Sequence, residues 1–224
     1  MPKTPPDFSA LEKAIGYTFK NKSLAADALT HSSMGENNNE RLEFLGDRVL
    51  ALVVAETILQ KYSAEKEGDL AKRLAVLVQG EIIAEIAAEI NLGDYIVLSA
   101  GERNAGAAES ENILSDAFEA LLGAVYLDGG LKPCQALIER LWDTRFENMK
   151  TPPQHPKARV QEWAQGRGLP LPAYKIVDRE GPDHAPVFSI ELTVEGFDPV
   201  IGKGRSRPAA EKDAAIFFLA REDS

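Results

Sequence analysis

The feature that most constrains this chain is a change in the period of its apolar residues, and it falls at a cluster of prolines. The segment 149–156, MKTPPQHP, holds three prolines and no periodic apolar pattern. Each proline fixes its own backbone and biases the residue before it away from helix, so the stretch reads as a linker between two folding units.

Before it, apolar residues recur at helical spacing through Leu11–Ile15, Leu42–Leu59, Leu70–Leu77, Ile82–Ile90, Ile113–Leu127 and Ala136–Phe146. Residues 1–148 therefore predict an all-α domain. After it, a short helical stretch, Lys157–Gln165, gives way to Tyr174–Val177 and then Val187–Val194. In the latter, Phe188, Ile190, Leu192 and Val194 alternate with Ser189, Glu191 and Thr193. A period of two means a half-buried strand. A third strand fits Val200–Lys203, followed by an alanine-rich helix, Pro208–Arg221, whose Ala210, Ala214, Phe217 and Phe218 are expected to cover one sheet face. Residues 157–224 thus predict a small α+β domain in the order α-β-β-β-α.

Composition narrows the function classes. With 44% apolar and 27% charged residues among 224, the chain can bury a core. The single cysteine, Cys134, cannot form an internal disulfide, and the amino-terminal MPKTPPDFSALEKAIG lacks the apolar stretch of a signal peptide. The richest apolar window, Val49–Leu59, is broken by Glu56, so no membrane span is expected. A cytoplasmic location is the default expectation. The net charge of −10 argues at first against a nucleic-acid partner. It is unevenly placed, however: 15 basic residues face 24 acidic ones up to residue 154, and 10 face 11 beyond it.

The acids of the first part are patterned. In NERLEFLGDRVL, Glu40, Glu43 and Asp47 stand at offsets of three and seven, on one helix face. In SDAFEALLGAVYLDGG, Asp116 and Glu119 are again three apart, beside the apolar Ile113, Phe118, Leu121, Leu122 and Val125. Acids set in apolar periodicity are partly buried and need partners. Two ionised carboxylates at about 4 Å repel by roughly 4 kcal/mol at an effective dielectric of 20. Lys or Arg, protons or hard cations could relieve this. An oxygen-only donor set suits Mg²⁺ or Mn²⁺ better than Zn²⁺. A Glu-x-x-His di-iron centre is disfavoured, since none of His31, His155 and His184 lies three residues after a glutamate.

On these residues the chain resembles the ribonuclease III family. NERLEFLGDRVL is similar to the signature of its endonuclease domain, SDAFEALLGAVYLDGG to its second acidic motif, and EGDLAKRLAVLV (residues 67–78) to the segment between them. The resemblance implies hydrolysis of double-stranded RNA by water activated at two metals, leaving 5′-phosphate and 3′-hydroxyl ends. It also implies a role in processing ribosomal RNA precursors and other structured transcripts. By motif position, Glu43, Asp47, Asp116 and Glu119 would ligate Mg²⁺, with Mn²⁺ as substitute, and Glu40 and Glu67 would support the site. Phe44 matches an aromatic that docks into a partner subunit, against the alternative of an ordinary core phenylalanine. The family implies a homodimer. One departure is the loop 101–112, GERNAGAAESEN, in which Arg103 is the lone base.

Residues 155–221 are similar to a double-stranded RNA-binding domain, which reads A-form RNA by shape through successive minor grooves and the phosphates between them. Gln161, Glu162, His184, Lys203, Arg205 and Arg207 fall at the matching positions. Backbone N–H groups at a helix start beside cations form an anion site on physical grounds as well. Ser206 is placed to cap that helix. Pro208 stands where the family usually carries lysine, which removes a charge and predicts weaker binding. Two rival readings are a protein that holds duplex RNA without cutting it and a metal phosphohydrolase of small nucleotides. The complete acid set speaks against the first, and the second domain against the second.

Overall fold

A computed structural model describes residues 7–182 and 186–222. The chain divides into two compact units, Met1–Pro153 and Gln154–Ser224. Among the described residues, no helix is long and apolar enough to cross a membrane.

Apart from an isolated parallel bridge between Thr30 and Val97, the regular structure described in the first unit is helical: α1 (Ser9–Ile15), α2 (Lys22–Ala28), α3 (Glu40–Lys61), α4 (Glu67–Leu77), α5 (Gly80–Glu89), α6 (Ala100–Asn104), α7 (Glu111–Gly129) and α8 (Leu131–Asn148), with short 3-10 turns between some of them. Helix α3 buries Gly46, Val49, Leu50, Val53, Val54, Thr57 and Ile58, a stripe that repeats at three and four and packs on α7. Helix α7 is buried along most of its length, from Leu114 to Val125, and forms the centre of the unit. The α8 side chain of Trp142 is fully buried and donates its indole N–H to the Leu77 carbonyl at 2.8 Å, which pins α8 to the end of α4. Arg73 is also fully buried. It donates to both oxygens of Glu65 and to the Met149 carbonyl at 2.5 Å, which satisfies its charge and holds the end of α8. Cys134 is a free, buried thiol.

The second unit comprises α9 (Pro156–Gln165), the antiparallel strands β1 (Ala173–Glu180), β2 (Val187–Thr193) and β3 (Val200–Gly204) in sheet order 1-2-3, and α10 (Arg207–Glu222). Helix α9 starts at Pro156, inside the stretch read as linker, because proline is well suited to the first helical position. Val160, Ala164, Leu192, Val194, Ala214, Phe218 and neighbours form a separate small core. One expectation is corrected here. Phe217 is 54% exposed, whereas Ala215 and Leu219 are buried beside Ala210, Ala214 and Phe218. Two adjacent residues lie about 100° apart on a helix, so Phe217 and Phe218 cannot both face the sheet squarely.

Candidate active site and RNA interface

The acidic site exists because two helix backbones touch. An added Cβ at Gly46 of α3 would lie 1.7 Å from the Glu119 carbonyl oxygen, and one at Gly123 of α7 would lie 2.3 Å from the Leu42 carbonyl oxygen. No other residue type fits this crossing. Sequence reasoning passed over both glycines; the available signal was a mid-helix Gly in each motif, which costs about 1 kcal/mol relative to Ala and so needs a reason.

Glu43 precedes Gly46 by one turn and Glu119 precedes Gly123 by one turn, so the close crossing drives their side chains together with Asp116. The carboxylates of Glu43, Asp116 and Glu119 each offer an oxygen, and these lie within 4.8 Å of one another. All three side chains are half-buried. Burial, and then the charges of Glu43 and Asp116, push the Glu119 carboxyl up to about 7. Glu43 is raised by burial first, then by Asp116 and Glu40. Asp116 is raised by burial, against opposing contributions from Ser115 and His31. His31 is a further neighbour that sequence reasoning did not place. Its peptide N–H bonds the Val97 carbonyl at 3.0 Å, and its Nδ1 accepts from the Ser33 N–H at 3.2 Å.

The remaining acids stand outside this group. Asp47 follows Glu43 by one turn on the same face, but its carboxylate pairs with the adjacent Arg48. Glu40 is exposed at the start of α3, where it accepts from Asn38 Nδ2 at 3.1 Å. Glu67 is exposed in the first turn of α4. Arg103, the single base of the 101–112 loop, donates to the Ile96 carbonyl at 2.9 Å. Phe44 is no core residue: it is 68% exposed, with the Arg48 guanidinium 5.5 Å from its ring centre.

In the second unit, another glycine contact positions the cationic segment. A Cβ at Gly202 would meet the Ala214 nitrogen at 2.1 Å and one at Gly204 the Ala210 nitrogen at 2.5 Å, so β3 lies directly on α10. Asp213 accepts from the Lys203 N–H at 2.8 Å, and Ser206 Oγ accepts from the Ala209 N–H at 3.3 Å, which caps α10. Lys203, Arg205 and Arg207 are consequently exposed together at and before the start of α10. Gln161 and Glu162 are exposed on α9, Glu162 accepting from Gln154 Nε2 at 3.3 Å. His184 lies outside the described residues.

Comparison with known proteins decides the family. Residues 21–144 match a Ribonuclease-III-like family model, and residues 156–220 match the double-stranded RNA binding motif. The chain belongs to the ribonuclease III family. It is similar to Ribonuclease 3 of Caulobacter vibrioides, with 47% identity across 95% of this chain and 94% of that one. Against Ribonuclease 3 of Ehrlichia ruminantium the identity is 45%, across 95% and 96%. The solved nuclease domain of ribonuclease III from Campylobacter jejuni is 45% identical, with a TM-score of 0.61 over 63% of this chain and 99% of that chain. That structure is described for flexibility in its region involved in dimer formation. As a ribonuclease III family member, the chain is a double-strand-specific endoribonuclease. Its acidic cluster lies within the nuclease match, and its exposed cations lie within the RNA-binding match.

Proposed function

We propose that residues 1–148 cut, residues 157–224 hold, and residues 149–156 link the two, on double-stranded RNA such as ribosomal RNA precursors and other structured transcripts in the cytoplasm. The observation that carries the reading is the convergence of Glu43, Asp116 and Glu119 from two helices onto one point.

The cluster fits hard divalent cations. Its donors are all carboxylate oxygens, burial raises all three carboxyl pKa values with neighbouring carboxylates adding to the rise at Glu43 and Glu119, and no ion-pair partner for them stands among the described residues. Glu43, Asp116 and Glu119, joined by Asp47 from the same face of α3, would hold two Mg²⁺ ions, and Mn²⁺ suits the same donors. Bound there, divalent ions supply a water acidic enough to ionise near neutral pH and a counter-charge for the departing oxygen.

The chain's own residues do the rest. The Gly46–Gly123 crossing fixes the carboxylates before substrate arrives, so the site requires little reorganisation. Glu40, whose charge acts on Glu43, and Glu67 would take supporting roles near the metals or the scissile phosphates. Attack of water on phosphorus breaks the P–O3′ bond; the attacking oxygen stays with a 5′-phosphate, and the 3′ oxygen takes up a proton. In the second unit, Gln161, Glu162 and His184 meet minor-groove hydroxyls, and Lys203, Arg205 and Arg207 meet phosphates.

One acidic cluster cuts one strand, so cutting both calls for a homodimer with two-fold symmetry matching the pseudo-two-fold of the duplex. Phe44, Leu52 and Leu59 support it: all three are exposed along α3, with Arg48 between the first two. The test is a tagged mixed dimer of one normal and one Glu119→Gln subunit on a duplex with each strand separately labelled. Nicked duplex with 5′-phosphate and 3′-hydroxyl ends is expected. Clean double-strand breaks, or no cuts at all, would overturn one site per strand.

A further inference from the structure

Glu211 follows Arg207 by one turn of α10 and is only 7% exposed. Each of its carboxylate oxygens takes a cation from a different element. Oε1 accepts from Arg207 Nε at 2.8 Å, and Oε2 accepts from Nζ of Lys157 in the first turn of α9. The Lys157 bond chiefly, with help from Arg207, holds the Glu211 carboxyl below the ordinary glutamate range. Lys157 is further confined by the Tyr174 ring, whose centre lies 4.9 Å from Nζ.

The consequence for Arg207 is specific. It is tethered through Nε, while its two terminal nitrogens are unengaged among the described residues and its side chain stays 60% exposed. A guanidinium held on one edge and open at the other can take a phosphate with two parallel N–H bonds. It stands in the first turn of α10, where helix N–H groups also favour an anion.

We propose that Glu211 is a positioning residue for RNA: its buried carboxylate joins the starts of α9 and α10 and presents a preordered Arg207 to a backbone phosphate. The proposal rests on reading Arg207 as a phosphate contact, and it deepens that reading by naming what holds the arginine. Its sign is opposite to that of simple electrostatics. Deleting a negative charge beside a polyanion should tighten binding. Deleting a tether should weaken it, because the freed arginine must lose its rotamer freedom on binding.

The experiment measures binding of the full-length protein to an RNA duplex of about 30 base pairs, roughly twice the span of one such domain. Fluorescence anisotropy is followed across a salt series in EDTA, so that nothing is cut. Arg207→Ala should weaken binding about tenfold and lower the salt slope by about one. Glu211→Gln should weaken it about three- to tenfold with the slope kept, and should add nothing in the Arg207→Ala background. Arg207→Lys keeps the charge, but an ammonium has no planar fork that could hold Glu211 on one edge and offer a phosphate two parallel N–H bonds on the other, so it should lose about as much as Glu211→Gln. This variant leaves the buried acid in place and covers the case in which Glu211→Gln fails to fold.

If Arg207→Ala binds normally, the phosphate reading of Arg207 fails, and the proposal with it. If Arg207→Ala weakens binding but Glu211→Gln or Arg207→Lys leaves it unchanged or tighter, the positioning role alone is overturned. An equal loss from Glu211→Gln with and without Arg207 would show a purely structural acid, and would also overturn it.

Discussion

In the nuclease unit, a glycine contact between α3 and α7 forces three carboxylates together with no ion-pair partner among the described residues. In the RNA-binding unit, a glycine contact between β3 and α10 sets exposed cations beside a buried carboxylate that one of them, Arg207, shares with half-buried Lys157 of α9. Both centres depend on backbones that approach too closely for any side chain. They differ in how charge is balanced. The first is left short of positive charge and has to draw it from divalent ions. The second is partly neutralised from within, so what remains outward is a small number of aimed cations rather than a diffuse basic patch. This accounts for an RNA enzyme with a net charge of −10: most of the excess negative charge belongs to the unit that cuts.

The sharpest way to break the contrast is to remove one ligand charge from the acidic centre. Glu119→Gln keeps the volume and should lower the cleavage rate by at least about 10³-fold while leaving gel-shift affinity near normal, because the loss falls on the chemical step. Full cleavage by this variant at ordinary Mg²⁺ would remove Glu119 from the site. Next in size is the glycine crossing. By helix propensity alone, Gly46→Ala should stabilise by up to about 1 kcal/mol. With the Glu119 carbonyl 1.7 Å from the new Cβ, it should instead destabilise the first unit by about 3 kcal/mol or more. Thermal unfolding followed at the buried Trp142 measures this, and a gain in stability would show that the crossing has slack.

The division of labour is tested by truncation after residue 150. The Campylobacter jejuni nuclease domain, which 63% of this chain covers almost entirely, shows that such a unit exists by itself. The truncated protein should cut at low salt and lose affinity roughly ten- to a hundredfold towards physiological salt relative to the full chain, since phosphate contacts have been removed. Identical affinities for the two proteins would deny the second unit its role as anchor. The smallest expected effect is on pH. Glu119 is raised to about 7, so at neutral pH protons and divalent ions compete for it. At limiting Mg²⁺ the cleavage rate should rise with pH through a midpoint near 7. Raising Mg²⁺ should slide that midpoint down by up to about one unit per tenfold. Without metal, the stability linked to protonated Glu119 is complete below about 4.5 and is lost as pH rises through about 7. A midpoint that ignores Mg²⁺ would contradict the competition.

The long helices and the α-β-β-β-α order were legible because their apolar periods run over many residues. Short α2 and α6 were not: α2 buries only two alanines, where α1 of equal length shows Leu11 and Ile15, and the five residues of α6 bury none. The convergence of Glu43, Asp116 and Glu119 was expected from motif spacing and a family resemblance. The reason for it, Gly46 against Gly123, was hidden because a glycine advertises freedom rather than contact. The turn of Asp47 towards Arg48 is a rotamer choice that no spacing encodes. Phe44 carried two readings until its exposure removed one. Glu211 went unnoticed because its partner Lys157 lies 54 residues away in the chain, and its burial follows only once α9 and α10 are side by side.

The central contrast between an acidic centre that needs metal to cut and a cationic one that holds RNA without it meets its most direct test in one measurement. The full-length protein is mixed with an end-labelled RNA duplex in Mg²⁺ and in EDTA, and each sample is run on both a native and a denaturing gel. The expected result is a shifted band in both conditions and cleavage in Mg²⁺ alone. Cleavage in EDTA, or a shift that vanishes together with the metal, would contradict it.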